Sequence, residues 1–420
     1  MAIVDSEHHA IRHGSQSVSS TATLPSQRIW VLLSNRVGDN AQVLALAGAL
    51  NVPYEVRMFS NRVGAIATNL LLGTRLPHLV RGRAQCLTPP WPDLVIAAGT
   101  QSEPICAQIM ERAALAGHQV QFVFLGRPWK RLDMYDLIVT TPQYRVPAAP
   151  NVMQIELPLH LVTRESVSRV AEIWTEKLAH LPKPYIMVCL GGSINRYTLD
   201  RYAAKRLAQK ADALAASSGG SLLICSSFRT PQRAMKTVTE HLTRPSYVFD
   251  WRQPISENPY LAFLGLADKI IVTGDSMTML AEACETRKPV YIFDLGEGSF
   301  SMKQPHVRPT NIETDWLRVR STVRAFFKDV KVRLIRKILP ERLHRDTHPV
   351  HRRLVQSGLA AWLDEHILPP TASVYLDSAR DVASRVLLIM SKRRHAGLQD
   401  QIDHNQPLVP NSSWGQSHAN

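Results

Sequence analysis

Short apolar segments alternate with amphipathic ones through residues 28–300, and this order limits the possible folds more than any other property of the chain. Segments such as RIWVLLS (28–34) and DLVIAAG (93–99) are apolar at nearly every position, which is typical of strands buried on both faces. The intervening segments carry apolar residues at helical spacing. Apolar strands separated by helices predict a parallel sheet covered by helices on both faces.

The alternation occurs twice, and each series predicts one α/β unit. The first series places strands at 28–34, 54–59, 93–99, 120–126 and 136–141, with helices at 41–50, 61–72 and 103–116. After a helix-like stretch at 164–181, the second series places strands at 185–192, 221–227, 247–250, 269–274 and 290–294, with helices near 198–216, 231–241, 258–266 and 276–286. We therefore predict an α/β fold with two tandem Rossmann-like, doubly wound domains facing a cleft, where ligands bind at the carboxyl ends of the strands.

The chain divides where composition or periodicity changes. The predicted parts are a disordered tail (1–27), an N-terminal Rossmann-like domain (28–160), a linker helix (161–183), a C-terminal Rossmann-like domain (184–300), a basic helical extension with a closing helix (301–396) and a second disordered tail (397–420). Both tails are rich in Ser, His, Asn and Gln and show little periodicity. The closing helix, at 378–392, is able to pack against either domain.

Positive charge is concentrated in the C-terminal extension. The chain carries a formal net charge of +14, and residues 318–353 contain twelve Lys or Arg against three acids. Apolar residues recur at three- and four-residue spacing from Trp316 to Ile338, so residues 315–338 are predicted to form one helix with a basic face. We expect this helix to lie on an anionic membrane surface, and the alternative is that its stripe packs on the α/β domains. The basic face lacks interleaved aromatic residues, so we expect no binding to nucleic acid.

Targeting and cysteine patterns favour a reducing compartment. No apolar run approaches the roughly 20 residues of a membrane span, and residues 1–27 lack the apolar core of a secretory signal. The five cysteines never form Cys-x-x-Cys, so we predict neither a zinc site nor a disulfide framework. We therefore expect a cytoplasmic protein, held peripherally at the inner face of the cytoplasmic membrane.

Four strand ends of the second unit carry residues suited to an anion. Small residues let backbone amides approach a phosphate, and hydroxyl and guanidinium groups donate hydrogen bonds to it. The candidates are Gly191, Gly192 and Ser193 in the first loop, Ser227 and Arg229 in the second, Trp251 in the third, and Asp275, Ser276, Met277 and Thr278 in the fourth. Each loop alone is equally typical of a tight turn or a helix N-cap. Together, at one sheet edge, they predict a phosphate site.

Acidic residues in both units are candidates for more specific roles. Glu282 lies about two turns after the Gly-Asp-Ser stretch (274–276) on which the predicted helix opens, where its carboxylate is placed to hold a pair of sugar hydroxyls. In the first unit, Asp39 and Glu103 follow strands directly, and we expect a general base to be one of them. Simple N-capping of the helices that follow is the alternative for both residues.

Several sequence signatures are missing. The loop after the first strand has no Gly-x-Gly-x-x-Gly, and no acid ends the second strand, which argues against a nicotinamide enzyme. The chain also lacks the Walker phosphate loop, Gly-x-Ser-x-Gly and His-Glu-x-x-His. No Asp-x-Asp is present to hold a divalent ion against a diphosphate, so we predict that the site uses no metal and no cofactor.

Three stretches resemble a known family. GDNAQVLALAGAL (38–50), LGGSINRYT (190–198) and VTGDSMTMLAEACETRKPVY (272–291) are similar to the plant mitochondrial fission proteins of the elongated-mitochondria type and their bacterial relatives, whose tandem units look like a GT-B glycosyltransferase. In GT-B enzymes of the murein-precursor type, a Glu seven residues before a Pro holds the ribose, and Glu282 and Pro289 match that spacing. The resemblance implies that Ser276, Met277 and Thr278 face the donor diphosphate and that Arg229 neutralises it as it leaves.

The resemblance implies a metal-independent glycosyltransferase. Such an enzyme would move a sugar from a nucleotide-sugar donor in the C-terminal domain to a cell-envelope lipid or glycan acceptor on the N-terminal side. A non-catalytic, membrane-associated scaffold with the same fold is one alternative, and a nucleotide-sugar epimerase is another. Convergence of Arg229 and Glu282 on one ligand distinguishes a ligand site from a scaffold.

Overall fold

The computed structural model describes residues 27–61, 80–81, 87–194, 197–253, 258–298, 301–303, 345–366 and 378–404. Within these ranges the chain forms two six-stranded sheets whose strands are all parallel. This arrangement confirms the predicted α/β fold with two doubly wound units. Apart from Asn61, the helix predicted at 61–72 lies outside the described residues, and so does the helix predicted at 315–338.

The first unit is built on a sheet that begins near the N-terminal end of the described chain. Its strands are β1 (Ile29–Leu33), β2 (Glu55–Met58), β3 (Leu94–Ala98), β4 (Gln121–Leu125), β5 (Leu137–Thr140) and β6 (Val152–Gln154), in the spatial order β2-β1-β3-β4-β5-β6. Helix α1 (Val37–Leu50) follows β1, and helix α2 (Glu103–Leu115) follows β3. The five predicted strands are confirmed. Strand β6 is absent from the prediction because a three-residue edge strand contains no apolar run.

The second unit repeats this plan. Its strands are β7 (Tyr185–Leu190), β8 (Ser221–Ser226), β9 (Ser246–Phe249), β10 (Lys269–Thr273), β11 (Val290–Phe293) and β12 (Ala361–Trp362), in the spatial order β9-β8-β7-β10-β11-β12. Its helices are α3 (Arg164–Thr175), α4 (Arg201–Ser218), α5 (Gln232–Glu240), α6 (Tyr260–Leu266), α7 (Met277–Glu285) and α8 (His348–Gln356). Since β12 pairs with β11, this unit extends beyond the predicted boundary at 300.

The last helix, α9 (Ser378–His404), belongs to the first unit and continues past the predicted boundary at 396. Val382, Ala383, Val386 and Met390 are buried in the same apolar cluster as β1 and α1. The predicted linker helix is different, because Val167 and Trp174 of α3 pack in the core of the second unit. Among the helices in the described ranges, none combines the length and the apolarity needed to cross a bilayer.

Candidate functional site

The first turns of two helices meet between the units. An ideal Cβ atom built on Gly38, in the first turn of α1, would lie 3.7 Å from Oγ1 of Thr278 in the first turn of α7. Both helices follow central strands, so the carboxyl edges of the two sheets face each other there. We call this gap the cleft. Among the described contacts, neither N-cap residue, Arg36 or Ser276, caps its helix with its side chain. The N–H groups of each first turn are therefore available to an anion.

The glycines after β7 are required by packing inside the second unit. A Cβ atom on Gly191 would lie 2.4 Å from Asp275 Oδ1, and one on Gly192 would lie 2.4 Å from the Arg229 carbonyl oxygen. Their amides are also occupied, because Gly191 N donates to Thr273 Oγ1 and Gly192 N to Asp275 Oδ2, each at 2.8 Å. This corrects the expectation that these two amides approach a phosphate.

Asp275 is a structural residue rather than an exposed ligand-binding group. Its carboxylate is fully buried, accepts a hydrogen bond from Thr273 Oγ1 at 2.8 Å and lies 2.9 Å from an Arg229 guanidinium nitrogen. The Arg229 side chain keeps 30% of its surface exposed. Asp275 therefore holds Arg229 at the edge of the cleft, where part of the guanidinium can reach a ligand.

The two loops beside Arg229 place small polar and aromatic side chains near the same edge. Ser227 N donates to Thr230 Oγ1 at 2.9 Å, so this serine mainly closes the turn after β8. Ser193 is exposed and begins a two-residue ladder with Tyr197–Thr198. Trp251, after β9, is 43% exposed, and Phe228, which sequence reasoning missed, is 56% exposed. Two exposed rings after neighbouring strands are suited to contacts with a planar or apolar group.

Glu282 lies deeper than the first turn of α7 and has a partner that the sequence did not reveal. Tyr260, at the start of α6, donates its hydroxyl to Glu282 Oε2 at 2.5 Å. Burial raises the pKa of the Glu282 carboxyl to about 7, although the hydrogen bond from Tyr260 acts in the opposite direction. Glu282 as a residue is half-buried, and its carboxylate is a candidate acceptor for hydrogen bonds from sugar hydroxyls.

Asp39 lies at the first turn of α1, on the opposite wall of the cleft. A Cβ atom on Gly99, which has a φ angle of +73°, would meet Asp39 Oδ2 at 2.3 Å, so only glycine fits beneath this carboxylate. Burial raises the pKa of Asp39, whereas Arg36 and Arg345 oppose this shift. The turn itself is fixed by Asn40, whose Oδ1 accepts from Ser34 N at 2.9 Å and whose Nδ2 donates to Ser34 O at 2.8 Å.

Glu103 has a structural role that the sequence did not predict. It is only 4% exposed, and its two oxygens accept hydrogen bonds from Trp129 N at 2.8 Å and Lys130 N at 3.2 Å. Burial raises its pKa to about 7, and the two backbone hydrogen bonds partly offset this effect. Because both oxygens hold the loop after β4, the structure does not present Glu103 to the cleft as a general base.

A segment far along the chain contributes to the side of the cleft formed by the first unit, which we call the first wall. Arg345 Nε donates to Gln143 Oε1 at 2.7 Å, and Asp346 N donates to Gln143 O at 2.7 Å. Arg145 forms an ion pair with the buried Asp346 at 2.5 Å. Arg345 is therefore anchored on the loop after β5, although it lies 202 residues after Gln143 in sequence. It also lies close enough to Asp39 to lower the pKa of that carboxyl.

Metal ligands do not cluster in the described part of the chain. No group of three or more His, Cys, Asp or Glu residues there is arranged to hold a metal ion. The four described cysteines, Cys106, Cys189, Cys225 and Cys284, are buried free thiols. A donor site that works without metal remains a prediction.

The family assignment comes from the sequence as a whole. A family model described as "Mitochondrial fission ELM1" matches residues 37–308. The chain belongs to this family. The Arabidopsis thaliana protein "Mitochondrial fission protein ELM1" is 26% identical over 271 residues, which are 59% of this chain and 62% of the Arabidopsis protein. The chain thus spans less than two thirds of that relative, and the family confirms the resemblance predicted from the three stretches.

Solved structures with a similar fold include proteins of two activities. A glycosyltransferase from Rickettsia africae ESF-5 has a TM-score of 0.40 and 12% identity, with 79% of this chain and 97% of that one covered. The UDP-GlcNAc 2-epimerase from Methanocaldococcus jannaschii has a TM-score of 0.39 and 11% identity, with 78% and 99% covered. Within its described residues, the chain has two parallel α/β units that face a cleft.

Proposed function

We propose that the chain is a metal-independent GT-B glycosyltransferase that binds a nucleotide-sugar in the cleft. The observation that carries this proposal is the uncapped first turn of α7, which faces Gly38 of the first unit and is followed by Glu282 in the second turn. Backbone N–H groups at a helix start bind phosphate, and the helix dipole favours the negative charge. This combination suits a sugar nucleotide, which carries a diphosphate and a ribose.

Each part of the donor then has a place in the second unit. The diphosphate lies against Met277 and Thr278, and the exposed part of Arg229 neutralises its charge as it leaves. The Glu282–Tyr260 pair holds the ribose hydroxyls. Trp251 and Phe228 flank the base. These aromatic contacts add affinity without requiring a metal ion.

Transfer requires an acceptor hydroxyl and a base on the first wall. The hydroxyl oxygen attacks the anomeric carbon, the bond from that carbon to the diphosphate breaks, and the hydroxyl proton passes to Asp39. Burial raises the pKa of Asp39, which makes its carboxylate a stronger base. We further propose that the acceptor is a cell-envelope lipid or glycan and that residues 315–338 bring the protein to the cytoplasmic membrane face.

A non-catalytic scaffold is the second candidate, and one observation favours it. Both oxygens of Glu103 accept hydrogen bonds from backbone amides, and Asp39 packs on Gly99. Both predicted bases therefore have structural roles. The family name, mitochondrial fission, also describes a process rather than a reaction. In this alternative the cleft binds a nucleotide-sugar as a signal and transfers nothing.

Nucleotide binding is tested with a pair of substitutions at one position. Thr278→Glu adds a negative charge to the first turn of α7, which is favourable for the helix but repels a diphosphate. Thr278→Gln is the size-matched control. In calorimetric titrations with a panel of nucleoside diphosphates and nucleotide-sugars, the Glu variant should bind at least about tenfold more weakly than the Gln variant. Equal affinities, or no binding by the unmodified chain, would remove the donor site.

Catalysis is tested separately from binding. The release of nucleoside diphosphate from a nucleotide-sugar in the presence of membrane lipids should be measured for the unmodified chain and for Asp39→Asn. Each measurement is made with and without a chelator. We expect release that survives chelation and falls at least about a hundredfold in the variant. Unaltered nucleotide binding with no release under any condition would favour the scaffold.

A further inference from the structure

Three arginines converge on the first wall of the cleft, and the donor site does not use them. Arg127 follows β4, Arg345 comes from the returning segment, and Arg36 precedes α1. The guanidinium carbons of Arg127 and Arg345 lie 5.8 Å and 5.9 Å from the centroid of the same Tyr144 ring. Arg36 interacts electrostatically with both Arg127 and Asp39. Two like charges are therefore held around one aromatic ring, with a third nearby.

Neighbouring side chains fix the positions of Arg345 and Arg127. Arg345 is fixed through Gln143, which is 1% exposed and whose Nε2 donates to Thr141 Oγ1 at 2.8 Å. Arg127 also lies 5.5 Å from the centroid of the Trp129 ring, on the loop that Glu103 holds. Aromatic faces orient guanidinium groups without removing their charge. The side chains that fix the cluster thus leave its positive charge in place.

Two carboxylates lie near these arginines. In the described part of the chain, Asp39 interacts with Arg36 and Arg345, and Glu103 interacts with Arg127. Glu103 directs both oxygens to backbone amides. Burial of Arg127, together with repulsion from Arg345 and Arg36, lowers the pKa of its guanidinium group.

We propose that Arg36, Arg127 and Arg345 bind a dianionic phosphate monoester carried by the second substrate. A phosphate monoester has a charge of about −1.5 to −2 at neutral pH, and several guanidinium groups can attract that charge together. Planar guanidinium groups donate paired hydrogen bonds to phosphate oxygens. The first turn of α1, at Asp39 and Gly38, adds backbone donors beside the cluster.

The position of the cluster assigns the phosphate to the acceptor. It lies on the wall opposite α7, where a Cβ atom built on Gly38 would lie 3.7 Å from Thr278 Oγ1. An acceptor held there by its phosphate would place a hydroxyl near the donor sugar. This assignment to the acceptor rests on the proposed function, whereas the existence of an anion site does not.

The test measures phosphate binding in a chain whose donor site is blocked. In the Thr278→Glu background, calorimetric titrations with glycerol 3-phosphate are compared for Arg127→Gln, Arg345→Gln and the matched control Arg131→Gln. Arg131 is on the same loop, is 83% exposed and pairs with Asp133. Each cluster substitution should weaken binding by about tenfold or more, and the control should leave it unchanged. Arg127→Lys and Arg345→Lys, which keep the charge, should lose less than the Gln variants.

Two further arms distinguish the source and the chemistry of the anion. In the first arm, vesicles that contain phosphatidic acid replace glycerol 3-phosphate. A higher affinity for the vesicles that depends on the three arginines identifies a lipid-borne phosphate. Equal affinity for the vesicles and the soluble compound identifies a soluble phosphate. Acetate should not compete. Glycerol 3-phosphate binding that is unchanged in the folded double variant Arg127→Gln/Arg345→Gln, or equal competition by acetate, would overturn the proposal.

The outcomes separate this site from the donor site. If no nucleotide binds to the unmodified chain but glycerol 3-phosphate binds in an Arg127-dependent manner, the proposed function fails and the anion site stands. If nucleotides bind in a Thr278-dependent manner while the arginine substitutions change nothing, the donor site stands and the anion site is wrong.

Discussion

Asp275 organises the edge of the second sheet by serving three neighbours at once. Its buried carboxylate accepts from Gly192 N and Thr273 Oγ1 and pairs with Arg229. The sequence Gly-Asp-Ser before α7 predicts a helix start and a candidate ligand site equally well. Only the three-dimensional contacts show that Asp275 is directed inward, because its partners lie after β7 and β8.

Gly192 is predicted to tolerate no side chain. Alanine at this position would place a Cβ atom 2.4 Å from the backbone carbonyl oxygen of Arg229, which cannot rotate away. We expect Gly192→Ala to lower the free energy of unfolding by about 1–3 kcal/mol in urea denaturation. Gly48→Ala is the control, because a Cβ atom there has no neighbour within 4 Å and lies in helix α1. It should raise stability by about 0.5–1 kcal/mol. A neutral Gly192→Ala would show that the loop moves freely.

Glu103 should make stability depend on pH. Its pKa is about 7 in the folded chain because of burial, against about 4.3 in an unfolded chain. Between these values the folded state binds more protons than the unfolded state, so the stability contributed by this group is complete below about pH 4.3 and falls as pH rises to about 7. Glu103→Gln should remove up to about 3 kcal/mol of that fall.

Urea denaturation at pH 5, 6, 7 and 8 measures the Glu103 effect. The quantity compared is the change in unfolding free energy with pH, since Gln also loses one backbone acceptor at every pH. The control is Glu165→Gln, whose side chain is 84% exposed. If the pH profile of Glu103→Gln matches that of the unmodified chain, the folded-state pKa is not raised.

At the level of elements, the sequence predicted every strand of the two sheets except the short edge strands β6 and β12. Strands β1, β3, β4, β7, β8 and β10 are buried almost throughout, so their apolar runs mark them in the sequence. Strand β12 has two residues and lies far from β11 along the chain, so no local pattern marks it. Arg345 is also far along the chain from the first unit, so no local pattern predicted its contact with Gln143 on the first wall.

Helix α9 should stabilise the first unit through one buried face. Val386 is fully buried against the cluster that contains β1 and α1. We expect Val386→Ala to lower the free energy of unfolding by about 2 kcal/mol, from lost apolar burial and the cavity left behind. The neighbouring Leu387 is 41% exposed, so Leu387→Ala should change it by less than about 0.5 kcal/mol. Equal effects of the two substitutions in urea denaturation would mean that α9 does not pack through this face.

At the level of the whole molecule, the described flanks of residues 304–344 meet beside the cleft. Lys303 pairs with Asp364 and Glu365 of the second unit, and His348 Nδ1 lies 3.4 Å from Met302 O. Arg345 is anchored on the first unit. The two described ends that flank residues 304–344 therefore lie close to each other. A membrane contact made by residues 315–338 would bring the cleft to the lipid surface.

We expect the full chain to bind anionic vesicles through residues 315–338. Each basic residue near an anionic surface contributes about 1 kcal/mol, so the eight Lys or Arg between 318 and 337 suffice even if only half of them reach it. Co-sedimentation should show binding to anionic but not neutral vesicles, weakened by salt. Replacing Arg324, Lys328, Lys331 and Arg336 by Gln should weaken it further. The matched control replaces four exposed basic residues of the folded units, Arg131, Arg169, Lys177 and Lys236, and should bind as the unmodified chain does. If both variants bind equally, or if the unmodified chain binds neither kind of vesicle, the apolar stripe packs on the protein instead.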